Sequence, residues 1–236
     1  MTLFNKSKIK ELIRDDIKNA FKIRNGSVNL FSNTLDIFSA VIDSRLLKVD
    51  LENWKKFEEH RQTQKSIQNI VGEIHQKIIG SFNNWEDLST GGIIDVVNIK
   101  ERIIAEIKNK HNTTKGNHKI NIYDDLKWLI EKEYNGYTGY YVEILPKNKK
   151  IYDHNFRPSD NKIKKKRPDN PKIRIIDGKS FYKIVTGDEN GICELFKLLP
   201  KIIDEILLEE NLVKKGEISK LDDRLMNEFY QKTYSN

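Results

Sequence analysis

Asp95, Glu106 and Lys108 are the residues of this 236-residue chain whose types and spacing could do chemistry together. Asp95 stands in the apolar run Ile93, Ile94, Val96 and Val97, and ten residues separate it from the triplet Glu106-Ile107-Lys108. From Arg102 to Lys110, Ile103, Ala105 and Ile107 alternate with Arg102, Glu106, Lys108 and Lys110. A period of two is that of a strand, so Glu106 and Lys108 project from one face while the apolar set packs on the other. With Asp95 on a paired strand, two carboxylates and an ammonium converge. That set suits hydrolysis of a phosphodiester. A hard cation such as Mg²⁺ takes oxygen ligands, usually only one or two of them carboxylates, and it activates water and neutralises charge on the phosphate. Asp95 and Glu106 are the expected metal ligands, with the carbonyl of Ile107 completing the shell. Lys108 is expected as a point charge beside the attacking water or the phosphate.

Taken alone the pattern is loose, since a solvent-facing Glu-x-Lys is a common cross-strand charge pair. Context strengthens it: a carboxylate between apolar neighbours is costly to bury without a partner, and a metal is one. The runs IIDVVN, from Ile93, and RIIAEIKNKHNTTKG, from Arg102, resemble the active-site hairpin of type II restriction endonucleases of the PD-(D/E)XK superfamily. More narrowly they resemble the small bacterial enzymes that read GGNCC or GGWCC sites. The superfamily's name puts a proline before the aspartate, where this chain has Ile94. The resemblance covers the middle of the chain best, from about Ile67 to Gly187. It implies Asp95, Glu106 and Lys108 as the catalytic triad, Mg²⁺ as cofactor, and an α/β fold with a restriction-endonuclease-like core, a mixed sheet flanked by helices. It also implies double-stranded DNA as substrate, a homodimer matched to a palindromic site, and a cognate DNA methyltransferase as functional partner. Related folds often donate a further carboxylate from the helix before the hairpin, which makes Glu73 a fourth catalytic candidate.

The net charge of +7 is concentrated. Between Lys147 and Arg174, eleven Lys or Arg stand against Asp153, Asp160 and Asp169, so the rest of the chain is nearly neutral. Pro158, Pro168 and Pro171 and weak periodicity make this segment a long irregular excursion. Its residues Lys164, Lys165, Lys166 and Arg167 are expected to track DNA phosphates. A second DNA-contacting stretch leaves the catalytic strand directly: Asn109, Lys110, His111, Asn112, Thr113 and Lys115 are rich in donors for phosphates or base edges. A zinc pair of His111 and His118 lacks a third ligand. The single cysteine, Cys193, excludes an intrachain disulfide. No apolar run reaches membrane length and no signal-peptide core is visible, so a cytoplasmic enzyme is expected.

Positioning elements follow from spacing. One domain is expected over 1–236, with a helical part over 1–50, a catalytic core over 67–187, a basic DNA-contacting loop over 147–172, and C-terminal helices over 188–236. The first fifty residues read as two helices around Asn25-Gly26, forming core or dimer surface. A longer helix runs from Glu52 to Ile79, another from Ile122 to Glu133, and strands cover Gly139 to Leu145 and Lys172 to Asp177. Gly178 is expected as a turn, Ser180 as a helix N-cap, Asp188 as the next cap, and Pro200 as a kink or break. Two other functions stay open on these residues: a structure-specific or repair nuclease, and a DNA-binding module in which the three charged residues form only an ion-pair cluster.

Overall fold

A parallel strand pair cannot be closed by a hairpin and needs a crossover; two such crossovers organise this molecule. The computed structural model describes residues 3–26, 29–32, 34–89, 92–160 and 164–234. Helices α1 (Lys6–Asn25), α2 (Ile37–Leu47) and α3 (Leu51–Gly80) precede strands β1 (Trp85–Asp87), β2 (Val96–Asn98) and β3 (Ile103–Lys110). Helix α4 (Gly116–Lys132) crosses to β4 (Thr138–Leu145). Short strands β5 (Asp153–Asn155), β6 (Ser159–Asp160) and β7 (Lys165–Lys166) come next, then β8 (Ile173–Asp177), α5 (Gly178–Thr186), α6 (Gly191–Glu209) and α7 (Asp223–Thr233). The main sheet has the order β1-β2-β3-β4-β8-β5. Its centre, β3-β4-β8, is parallel, and its flanks are antiparallel. This is the expected mixed α/β sheet flanked by helices.

Each face of the sheet has its own apolar layer. Ile103, Ala105 and Ile107 of β3 join Val142 and Ile144 of β4 under Ile9 and Ile13 of α1, Ile74 and Ile78 of α3, and Ile202 and Ile206 of α6. On the other face, Ile104, Tyr141 and Ile173 pack against Tyr123, Leu126 and Leu129 of α4. Helix α1 also carries ion pairs to α6, with Lys10 and Arg14 on Glu209 at 2.5 and 2.9 Å and Lys18 on Glu210 at 2.9 Å.

Several local expectations are corrected. Helix α4 begins at Gly116 and not near Ile122, because Ile120 is already buried in its stripe; Lys115 caps it without a side-chain hydrogen bond, so no capping signal marked the start. Asp177, not Ser180, is the N-cap of α5: its Oδ1 accepts the N–H groups of Lys179 and Ser180, at 2.8 and 3.1 Å. Gly178 is the first helical residue rather than a turn, and a Cβ there would lie 2.4 Å from the carbonyl oxygen of Ile144. Asn190 caps α6, while Asp188 accepts the Asn190 N–H one step earlier. Pro200 lies inside an unbroken α6. An interior proline costs about 3 kcal/mol, offset here because both halves are fixed, by Leu195 before it and by Ile202 and Ile206 after it.

The basic excursion is also more ordered than expected. It is the crossover from β4 to β8, it places β5 on the edge of the main sheet, and it folds β6 against β7 as a two-stranded sheet. Asn161, Lys162 and Ile163, between those strands, lie outside the described residues, as does Gly91 before the catalytic hairpin.

Candidate active site

Backbone pairing brings Asp95 to Glu106. Strand β2 pairs with β3 in the register Val96–Ala105, and the ladder continues one residue earlier, where the Asp95 N–H donates to the Ala105 carbonyl at 2.9 Å. The carboxylate then turns across β3 and accepts the Ile107 N–H at 2.6 Å. Glu106 and Lys108 alternate with the buried Ala105 and Ile107, so they stand on the α4 face of the sheet, past the part that helix covers. Lys108 Nζ lies 2.5 Å from Glu106 Oε1. Both acidic groups are held above the ordinary carboxylate range. Burial is the first cause for each; repulsion from Asp95 adds to it at Glu106, while the Ile107 N–H and Lys108 oppose it at Asp95.

A cation would relieve that cost. Two desolvated carboxylates side by side are a frustrated pair on their own and an oxygen donor set together. No group of three or more His, Cys, Asp or Glu able to hold a metal occurs among the described residues. Two carboxylates suit Mg²⁺, which retains waters and takes substrate oxygens for the remaining positions. The side chain of Ile107 packs in the opposite core, so only its backbone borders the site.

Two neighbours went unread in the sequence. Asp87 of β1 lies close enough to raise Asp95 further. Glu143, 2 % exposed, is the register partner of Lys108 on β4. It accepts from Lys119 Nζ of α4 at 2.6 Å and from the Tyr152 hydroxyl, and Tyr152 also donates its N–H to Asp177 at 2.8 Å. Glu143 thus fastens the first turns of α4 and the root of the basic excursion to the catalytic face. Its signal was the same as that of Asp95: a lone carboxylate in an apolar strand, YYVEIL.

The other candidates fall in different places. Glu73 is exposed on α3, whose buried Ile70 and Ile74 pack on the face opposite Glu106; no hydrogen bond or ion pair among the described residues joins it to the cluster. Asn109 faces the same way as Ile107 and lines an apolar cavity of about 270 Å³ with His75, Ile144 and Tyr234, away from Lys108. Lys110 follows Lys108 on the site's face, and Lys110 to Thr113 form a turn in which Thr113 donates to the Lys110 carbonyl at 2.7 Å. His111 is half-buried there, and Asn112, Thr113 and Lys115 are exposed. Lys164, Lys165 and Lys166 are exposed and make no ion pair among the described residues. Arg167 differs: its guanidinium is held by Asp124 of α4 at 2.6 Å and by Asp160 of β6 at 3.1 Å. It anchors the excursion.

Comparison with known proteins places the chain in a family. The chain is 40 % identical over 188 residues to the type II restriction enzyme Eco47II of Escherichia coli, covering 78 % of each chain. It is 34 % identical over 209 residues to the type II restriction enzyme Sau96I of Staphylococcus aureus, covering 87 % of this chain and 78 % of that one. A family model described as Eco47II restriction endonuclease matches residues 2–208. The paired carboxylates and lysine thus lie within the matched span, and the chain belongs to the Eco47II restriction endonuclease family.

Proposed function

We propose that this chain is a Mg²⁺-dependent type II restriction endonuclease that cuts both strands of double-stranded DNA at a short palindromic site of the GGNCC kind. It would act as a homodimer in the cytoplasm, beside a cognate DNA methyltransferase that protects the host's own sites. Membership of the family supports the reaction class. The observation that carries the chemistry is the adjacency of two desolvated carboxylates, Asp95 and Glu106, with Lys108 on one open sheet face.

In this reading Asp95 and Glu106 hold the cation, which when bound supplies a Lewis acid and an activated water. Asp95 is aimed by the Ile107 N–H, which fixes one oxygen and leaves the other for the ion. Lys108, paired with Glu106 at 2.5 Å, would supply a positive charge beside the scissile phosphate or the attacking water. The exposed Asn112, Thr113 and Lys115 lie beyond the end of β3 and bring donors toward the grooves, while Lys164, Lys165 and Lys166 hold the backbone without reading sequence. Digesting a plasmid with Mg²⁺ and sequencing the fragment ends tests the whole reading. Discrete fragments sharing one palindromic end sequence support it, and random or junction-selective cutting overturns it.

A further inference from the structure

Helix α2 is built inside out. On its wheel Ala40 and Ser44, 7 % and 3 % exposed, are turned inward, whereas Ile37, Phe38, Val41, Ile42 and Leu46 are turned to solvent, the last two bordering α3. Those five are 63, 76, 54, 62 and 77 % exposed. Leu47 and Leu51, at the turn into α3, are half exposed as well. Side chains of this size at these exposures present roughly 600–700 Å² of apolar surface, more than the few hundred Å² a monomer usually shows and near the ~800 Å² per partner of a stable interface. Small side chains inward and large ones outward are the arrangement of a helix whose principal partner is another molecule.

We propose that the α2–α3 hairpin is the surface on which two copies of this chain associate. The inference rests on the dimer included in the proposed function and locates it. Beside the outward ridge runs a groove of about 830 Å³ between α2 and α3, lined by Ile42, Leu46 and Trp54 and by charges of both signs, including Asp43, Glu58, Arg61 and Lys65. A ridge next to a groove with balanced charge is self-complementary, as a two-fold contact requires. Two such hairpins packed across a two-fold axis give a four-helix arrangement with α2 at its centre. The other occupants fit less well. DNA would need cations, and α2 offers only Arg45 within the helix; a lipid surface would need a basic rim, and Arg45 stands against Asp43, which accepts from Trp54, and the N-cap Asp36. The need for two copies is chemical: one chain has one carboxylate pair, and cutting both strands in one encounter takes two.

Sedimentation of the wild-type chain and of Phe38→Asp with Ile42→Asp tests the assignment, with cleavage of supercoiled plasmid read alongside. Both substituted side chains are solvent-facing, so the circular dichroism of the variant should match wild type, while its Tm should fall to the concentration-independent value of a monomer. The expected result is a dimer that linearises plasmid for wild type and a monomer that is at least tenfold slower and leaves nicked circles for the variant. A second measurement places Val41→Cys in a Cys193→Ser background, where oxidation should give a disulfide-linked dimer that still cuts. A wild-type chain that is monomeric at cleavage concentrations overturns the dimer reading itself. A dimer that survives both aspartates and does not cross-link overturns the α2 surface while leaving that reading in place.

Discussion

Two charged regions of this protein make opposite use of the same residue types. At the end of β3, Asp95, Glu106 and Lys108 are half-buried, locked by strand register and by the Ile107 N–H, and burial first, then at Glu106 repulsion from Asp95, holds the two carboxylic acids above the ordinary range. On the β6–β7 hairpin, Lys164, Lys165 and Lys166 are exposed and make no ion pair among the described residues. Desolvation makes a few charges strongly interacting and position-dependent; water makes many charges weakly interacting and interchangeable. In the proposed function the first region would stabilise a transition state, and the second would only concentrate DNA.

If that contrast holds, single substitutions in the first region should be fatal to cleavage. Asp95→Ala and Glu106→Ala are expected to abolish it while Tm and metal-free DNA binding persist, with binding tightened by removal of a negative charge near phosphate. Cleavage at the wild-type rate by either variant would break the assignment. Placement is tested next by Lys108→Ala against Lys100→Ala, which remove the same charge from the active face and from the β2–β3 turn. The first should slow single-turnover cleavage by at least ~10²-fold and the second by little. Equal losses would reduce Lys108 to general basicity.

A third substitution set sharpens the exposed side of the contrast. Replacing Lys164, Lys165 and Lys166 by Ala should weaken binding to all sequences and shallow the slope of log affinity against log salt by roughly 0.9 per lost contact, with the cognate-to-random ratio kept. An unchanged slope would leave these lysines with no DNA role. The smallest effect isolates burial without a neighbouring charge, at His75. Burial holds its imidazole down to about 4, with the Tyr182 hydroxyl 2.8 Å away. Folding stability from this group is therefore full above pH 6.5 and is lost as pH falls from there toward 4, by up to about 3 kcal/mol. Denaturant titrations at pH 7.5 and 4.5 should show a smaller acid loss for His75→Gln than for wild type.

Legibility in the sequence followed the range of the interaction. Period-two alternation around Glu106 and the spacing to Asp95 are local, and the strand pair and the face carrying Lys108 were readable from them, whereas the register came from the structure. The same alternation, applied one residue further, would have turned Asn109 away from the DNA side, where the cavity with His75 now places it. Arg167 read as one more phosphate cation because its partners, Asp124 and Asp160, come from other elements and only folding brings them together. Glu143 was hidden for the same reason, since Lys119 and Tyr152 reach it from two crossovers. Helix α1 and helix α2 both showed apolar spacing, yet one buries its large side chains and the other displays them. Periodicity gives the stripe and not what covers it.

The seam between α1 and α6 sets a timetable during synthesis. Lys10, Arg14 and Lys18 leave the ribosome about two hundred residues before Glu209 and Glu210, an interval of roughly 10–40 s at ordinary elongation rates. Throughout it Ile9 and Ile13 wait without Ile202 and Ile206, the partners that complete their layer under β3. A nascent chain therefore already contains Asp95, Glu106 and Lys108, but lacks the α6 part of the layer that packs under their strand. The layer under β3 is complete only once Ile202 and Ile206 have been made.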